Sequence, residues 1–123
     1  MSQAITVNVK THYLEDESKP ADSRFVYAYE IHIENLSDES AQLISRHWKI
    51  TDSNEEVQEV EGLGVVGQQP TLKPGESYRY TSGVVLETES GMMEGSYLMR
   101  NESGGEFEAA IPAFALVSPQ ALH

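Results

Sequence analysis

Phe25, Tyr27, Tyr29, Ile31 and Ile33 are large and apolar at every second position, and Glu30, His32 and Glu34, which alternate with the last of them, are polar. A side-chain period of two marks a strand that buries one face, and no long segment of this chain keeps helical spacing. The alternation recurs in Ile5, Val7, Val9, Thr11 and Tyr13, and again in Ile44, Arg46, Trp48 and Ile50. It returns in Phe107, Ala109 and Ile111, with Phe114 and Leu116 carrying the apolar face on beyond Pro112. Turn clusters separate these runs, among them Asn35 to Ser40, Thr51 to Asn54, Lys73-Pro74-Gly75 and Asn101 to Gly105. Roughly seven to eight short strands with regular turns predict an all-β chain, an antiparallel immunoglobulin/fibronectin type III-like β-sandwich, with a barrel as the alternative. No repeat or linker divides the chain, so residues 1–123 read as a single domain.

Charge removes several function classes. Eight basic residues against twenty acidic ones give a formal charge of -12. That field repels phosphate backbones and anionic lipid, so neither nucleic acid nor membrane is an expected partner. Cysteine is absent, which excludes disulfides, thiolate metal sites and thiol nucleophiles. The start of the sequence carries no signal-peptide pattern, and no apolar run approaches the length of about 18 residues needed to span a bilayer. A cytoplasmic location is the expectation.

Gly62-Leu63-Gly64-Val65-Val66-Gly67 spells G-x-G-x-x-G. In dinucleotide-binding folds such glycines open a helix whose N-terminus holds a pyrophosphate. Here Pro70 and Pro74 follow too soon for any helix. The structural reading is a bulge, or a tight crossover carrying the chain between sheets. The binding reading is a nest of backbone amides for an anion or pyrophosphate, formed by Gly62, Gly64 and Gly67 with Arg46 as the cation. Lys73, Arg79 and His47 are further cations near in sequence, while Glu55, Glu56, Glu59 and Glu61 would repel a diphosphate. The crossover is the expected role.

Arg46 shares the inward face of its strand with Trp48, so its guanidinium needs backbone carbonyls, a carboxylate or an anionic ligand. The histidines His12, His32, His47 and His123 are scattered, and the row Glu30, His32, Glu34 reads as a solvated face, so no metal site and no cofactor are expected. No nucleophile elbow or catalytic triad order emerges, and an enzyme is not expected. Met92 and Met93, flanked by Gly91 and Gly95, read as a loop between strands. They either cap the core edge or offer an adaptable apolar contact to a partner.

Several runs together resemble the ApaG family: Leu43-Ile44-Ser45-Arg46-His47-Trp48, Thr51-Asp52, Gly62 to Pro70, Leu72 to Glu76, Tyr80-Thr81-Ser82-Gly83, Gly91 to Tyr97 and Ile111 to Leu116. The resemblance covers nearly the whole chain in order. It implies a small bacterial cytoplasmic protein with a fibronectin type III-like sandwich and no known catalytic activity. It also implies a loose link to cobalt and magnesium homeostasis, and a domain that serves elsewhere as an interaction module. A pyrophosphate role for the family rests on the glycine motif alone. Lys49 departs from the family pattern, in which an apolar residue is common, but alternation turns it to solvent. The expected function is a non-enzymatic protein-interaction or regulatory module with an unidentified protein partner, either monomer or weak homodimer. The alternative is a nucleotide- or pyrophosphate-binding protein using the glycine loop.

Overall fold

The computed structural model describes residues 4–119, so His123 lies outside the described residues. Eight strands follow in order: β1 (Ile5–Tyr13), β2 (Phe25–Asn35), β3 (Ala41–Asp52), β4 (Val57–Leu63), β5 (Thr71–Leu72), β6 (Ser77–Leu86), β7 (Ser90–Asn101) and β8 (Glu106–Val117). The acidic segment after β1 forms two single turns of 3-10 helix, Glu15–Glu17 and Pro20–Asp22. All strand pairs are antiparallel. One sheet has the order β1-β2-β6 and the other β4-β3-β7-β8, with β5 also paired to β3. This is the two-sheet arrangement of an immunoglobulin or fibronectin type III sandwich. Its flanks differ, because β1 packs near β8 whereas β4 and β6 remain open edges.

The alternating residues of β2 supply the centre of the core. Tyr27, Tyr29, Ile31 and Ile33 are all buried, facing Trp48, Ile50, Met93, Tyr97 and Met99 of the other sheet. Trp48 packs edge-on against both Tyr29 and Phe114, with centroids 5.3 Å apart for Tyr29–Trp48 and 5.9 Å for Trp48–Phe114.

Two strands depart from the sequence expectation. In β3 the register against β7 shifts between Leu43 and Ser45, leaving Ile44 as the extra residue of a bulge. Ala41 and Leu43 therefore face the core before the bulge, and Trp48 and Ile50 after it, so the buried face changes parity within one strand. Met92 and Met93 do not form a loop; both lie inside β7. The glycines beside them serve close backbone approach, since a Cβ on Gly95 would stand 2.1 Å from the His47 carbonyl oxygen and one on Gly91 2.7 Å from that of Thr51. Met93 is buried and Met92 is half exposed, so the pair divides between the core and the outer sheet face.

Candidate functional site

The glycine motif begins inside β4 and remains beside β3 throughout. Gly62 pairs with Arg46, and after the turn β5 pairs with Ala41 and Gln42 of the same strand. The segment thus does not carry the chain across the sandwich. That step falls at Lys73–Glu76, where Gly75 has φ +84° and donates its N–H to the Asn35 carbonyl at 2.8 Å.

Each glycine has its own reason. The Arg46 guanidinium lies flat against Gly62, and a Cβ there would approach Nη1 to 2.8 Å and Nη2 to 2.9 Å. Gly64 has φ +65°, and a Cβ would meet the Gln68 carbonyl oxygen at 2.3 Å. Val66 and Gly67, with φ +48° and +77°, are the central residues of a two-residue hairpin closed by reciprocal Val65–Gln68 backbone bonds of 2.8 and 2.9 Å. Positive φ at both centres defines a type I′ turn, for which glycine is suited at the second centre and valine poorly suited at the first. The turn presses Val65 into the core, where it is 1% exposed.

The same segment repairs the bulge. A bulged residue loses a ladder partner, and its carbonyl must bond elsewhere. The Ile44 carbonyl accepts from the Gly64 N–H and from the Gln69 side-chain amide, both at 2.9 Å. The amides of Gly64, Val65 and Gln68 are therefore all engaged within the protein.

Arg46 is partly buried. Its Nη1 donates to the carbonyls of Leu63 (3.2 Å) and Gly64 (2.9 Å), and no carboxylate pairs with it among the described residues. Tyr97, opposite Arg46 on β7, is hydrogen-bonded through its hydroxyl to that of Tyr80. Burial pushes both phenols far above the usual tyrosine range, and the nearby Arg46 charge pulls weakly the other way. The structure thus unites Arg46 with Gly62 and Gly64. Gly67 stands apart at the turn tip with open space around it.

Of the other cations, His47 and Arg79 face solvent and meet carboxylates there. His47 faces outward and meets Glu59 at 2.8 Å and Glu61 at 3.8 Å. Arg79 pairs with Glu30 at 3.8 Å on β2–β6. Among the described residues no group of three or more His, Asp or Glu side chains converges as a metal site. Lys49 is exposed, as alternation requires.

Beside the glycine segment, Arg46, His47, Glu61, Gly62, Leu63 and Glu108, among others, line a concavity of about 540 Å³ that includes two carboxylates. Two further concavities flank this centre. On the outer face of the five-stranded sheet a groove of about 450 Å³ is lined by Lys49, Thr51, Met92, Ala113, Ala115 and Val117, among others. Between the open edges of β4 and β6 a cleft of about 370 Å³ is lined by Arg46, Tyr29, Trp48, Gln58, Val60 and Ser82, with further apolar residues of β6 and β7. Sequence reading identified Arg46 but not Gln58 or Ser82.

These features define a fibronectin type III-like sandwich with an arginine-anchored glycine turn at the β4–β5 junction. The sequence profile of the ApaG domain matches residues 15–101. Protein ApaG of Thiobacillus denitrificans is 54% identical over 119 residues, covering 97% of this chain and 94% of that protein. Protein ApaG of Shewanella pealeana is 50% identical over 123 residues, covering 100% and 98%. A crystal structure of an ApaA protein from Bordetella pertussis superposes with a TM-score of 0.92 at 49% identity, covering 94% of each chain. The chain belongs to the ApaG family. Among its described residues no helix is long and apolar enough to cross a membrane.

Proposed function

We propose that this protein is a non-enzymatic interaction module that binds a protein partner on the β4–β5 turn and the outer face of the five-stranded sheet. The observation that carries the reading is Val66. A β-branched residue at φ +48° is strained by about 1–3 kcal/mol, and Val66 is 63% exposed, so packing within the protein does not compensate it. Asn or Gly would make the same turn without that strain. The strain is accounted for when the side chain is needed by something outside the chain.

Val66 has apolar company. Leu63 is 75% exposed in the same segment, and Met92 and Val117 form a second exposed apolar area toward the other end of the same sheet. Met92 is an adaptable anchor for such a contact. Pyrophosphate binding by the glycine-loop amides is not part of this reading, because Gly64, Val65 and Gln68 spend theirs internally. Catalysis is not part of it either: the hydrogen-bonded partner of His47 is a carboxylate, not a hydroxyl that it would activate. On this reading the family's cobalt and magnesium link is indirect.

Affinity capture from a bacterial lysate, comparing the native chain with a Leu63→Ser/Val66→Asn variant, tests the proposal. A protein retained specifically by the native chain and lost with the variant supports it. Equal retention by both, or nothing specific on either, counts against it.

A further inference from the structure

The cleft between β4 and β6 differs chemically from the rest of this acidic molecule. Twenty of its 123 residues are Asp or Glu, yet none of them lines this cleft. Its lining includes a guanidinium, and Arg46 spends only Nη1 on the protein; Nε and Nη2 make no hydrogen bond among the described residues. A guanidinium has five donors and cannot give up its charge, so its free edge calls for an acceptor. The side chains of Tyr29, Gln58 and Ser82 also line the cleft, and none of them is hydrogen-bonded among the described residues. The remaining wall is apolar, from Trp48, Val60, Val84 and Met93. Its volume of about 370 Å³ falls within the range of small-molecule sites.

A partly buried cation without a carboxylate, unused neutral donors around it and an apolar wall together specify a ligand. We infer that this cleft binds a small organic anion, a single carboxylate or phosphate group on an apolar body. Arg46 receives the charge, Gln58 and Ser82 donate hydrogen bonds, and Trp48 and Val60 hold the apolar part. Recognition is by side chains between two sheet edges, not by the amides of the glycine turn. Gly62 contributes indirectly, because its missing side chain lets the guanidinium lie where it does.

Trp48 is the chain's one tryptophan and lines the cleft, so its fluorescence reports occupancy directly. The full chain is titrated with benzoate, phenyl phosphate, inorganic pyrophosphate and the neutral benzyl alcohol. Saturable change with benzoate or phenyl phosphate is expected, and which of the two binds more tightly tells a carboxylate site from a phosphate site. Benzyl alcohol and pyrophosphate each lack one half of the required chemistry and should bind at least roughly tenfold more weakly. Arg46→Gln should abolish the response. Gln58→Glu, a near-isosteric change at an exposed edge position, should leave the melting temperature unchanged while weakening the anion by roughly fivefold. The inference is overturned if neither aromatic anion gives a saturable change, if benzyl alcohol or pyrophosphate binds as tightly, or if Gln58→Glu has no effect on affinity. Leu63→Ser/Val66→Asn leaves this cleft intact, so failure of the partner proposal is distinguishable from failure here.

Discussion

A methyl group on Gly64 would stand 2.3 Å from the Gln68 carbonyl oxygen, closer than any real Cβ contact, and would also require a left-handed backbone at φ +65°. Gly62 answers to a different constraint, the bulk of the Arg46 guanidinium, and Gly67 to a third, the second centre of a type I′ turn. A buried asparagine shows comparable economy. Asn35 is fully buried at the end of β2; its amide donates to the carbonyls of Glu39 (2.9 Å) and Leu72 (2.8 Å), and its oxygen accepts from the Ser37 N–H and hydroxyl. One side chain thus ties β2, the following turn and β5 together. Asn35→Ala leaves the Leu72 carbonyl and the Ser37 N–H short of a partner, while the Ser37 hydroxyl and the Glu39 carbonyl keep each other, and should cost about 2 kcal/mol in urea unfolding with little change in m-value. A loss well under about 1 kcal/mol would mean that water replaces the amide without penalty.

At the scale of the element, the Val65–Gln68 turn between β4 and β5 holds a β-branched residue, Val66, at positive φ. Val66→Asn creates Asn-Gly, the favoured pair for a type I′ turn, and should raise stability by about 1 kcal/mol. An unchanged or lower midpoint of unfolding would show that Val66 carries no strain. Elements such as β1 and β2 were legible in the sequence because an uninterrupted period of two needs no knowledge of neighbours. The phase change in β3 was not, since the Ile44 bulge depends on donors from Gly64 and Gln69 that are distant in the chain. In β7, Gly91 and Gly95 imitated loop punctuation, whereas their cause is the nearness of the β3 backbone. Arg46 was legible as an inward cation from strand parity alone. The cleft beside it was not, because Gln58 and Ser82 lie on edge strands that come together only across the sandwich.

Across the whole molecule, buried phenols couple stability to alkaline pH. Burial, seconded by Tyr13, pushes the Tyr27 hydroxyl up to about 12, and it donates to the Glu89 carbonyl at 2.6 Å. Tyr80 and Tyr97 are raised further, chiefly by burial. An unfolded chain releases these protons near pH ~10, so the native state holds more protons above that point and loses stability as pH rises. The melting temperature should therefore be unaffected by these groups below about pH 10 and fall steadily beyond it, with Tyr27→Phe lessening the fall. A flat profile up to about pH 12 would contradict the burial of these hydroxyls. The arginine-anchored glycine turn is tested most directly by a double-mutant cycle on Gly62 and Arg46, read as global unfolding in urea. If Gly62 exists to seat the guanidinium, Gly62→Ala should cost about 1 kcal/mol in the native background, as Arg46 shifts off the Leu63 and Gly64 carbonyls, and less than about 0.5 kcal/mol once Arg46→Ala has removed the clash. An equal cost in both backgrounds would show that Gly62 answers to something other than Arg46.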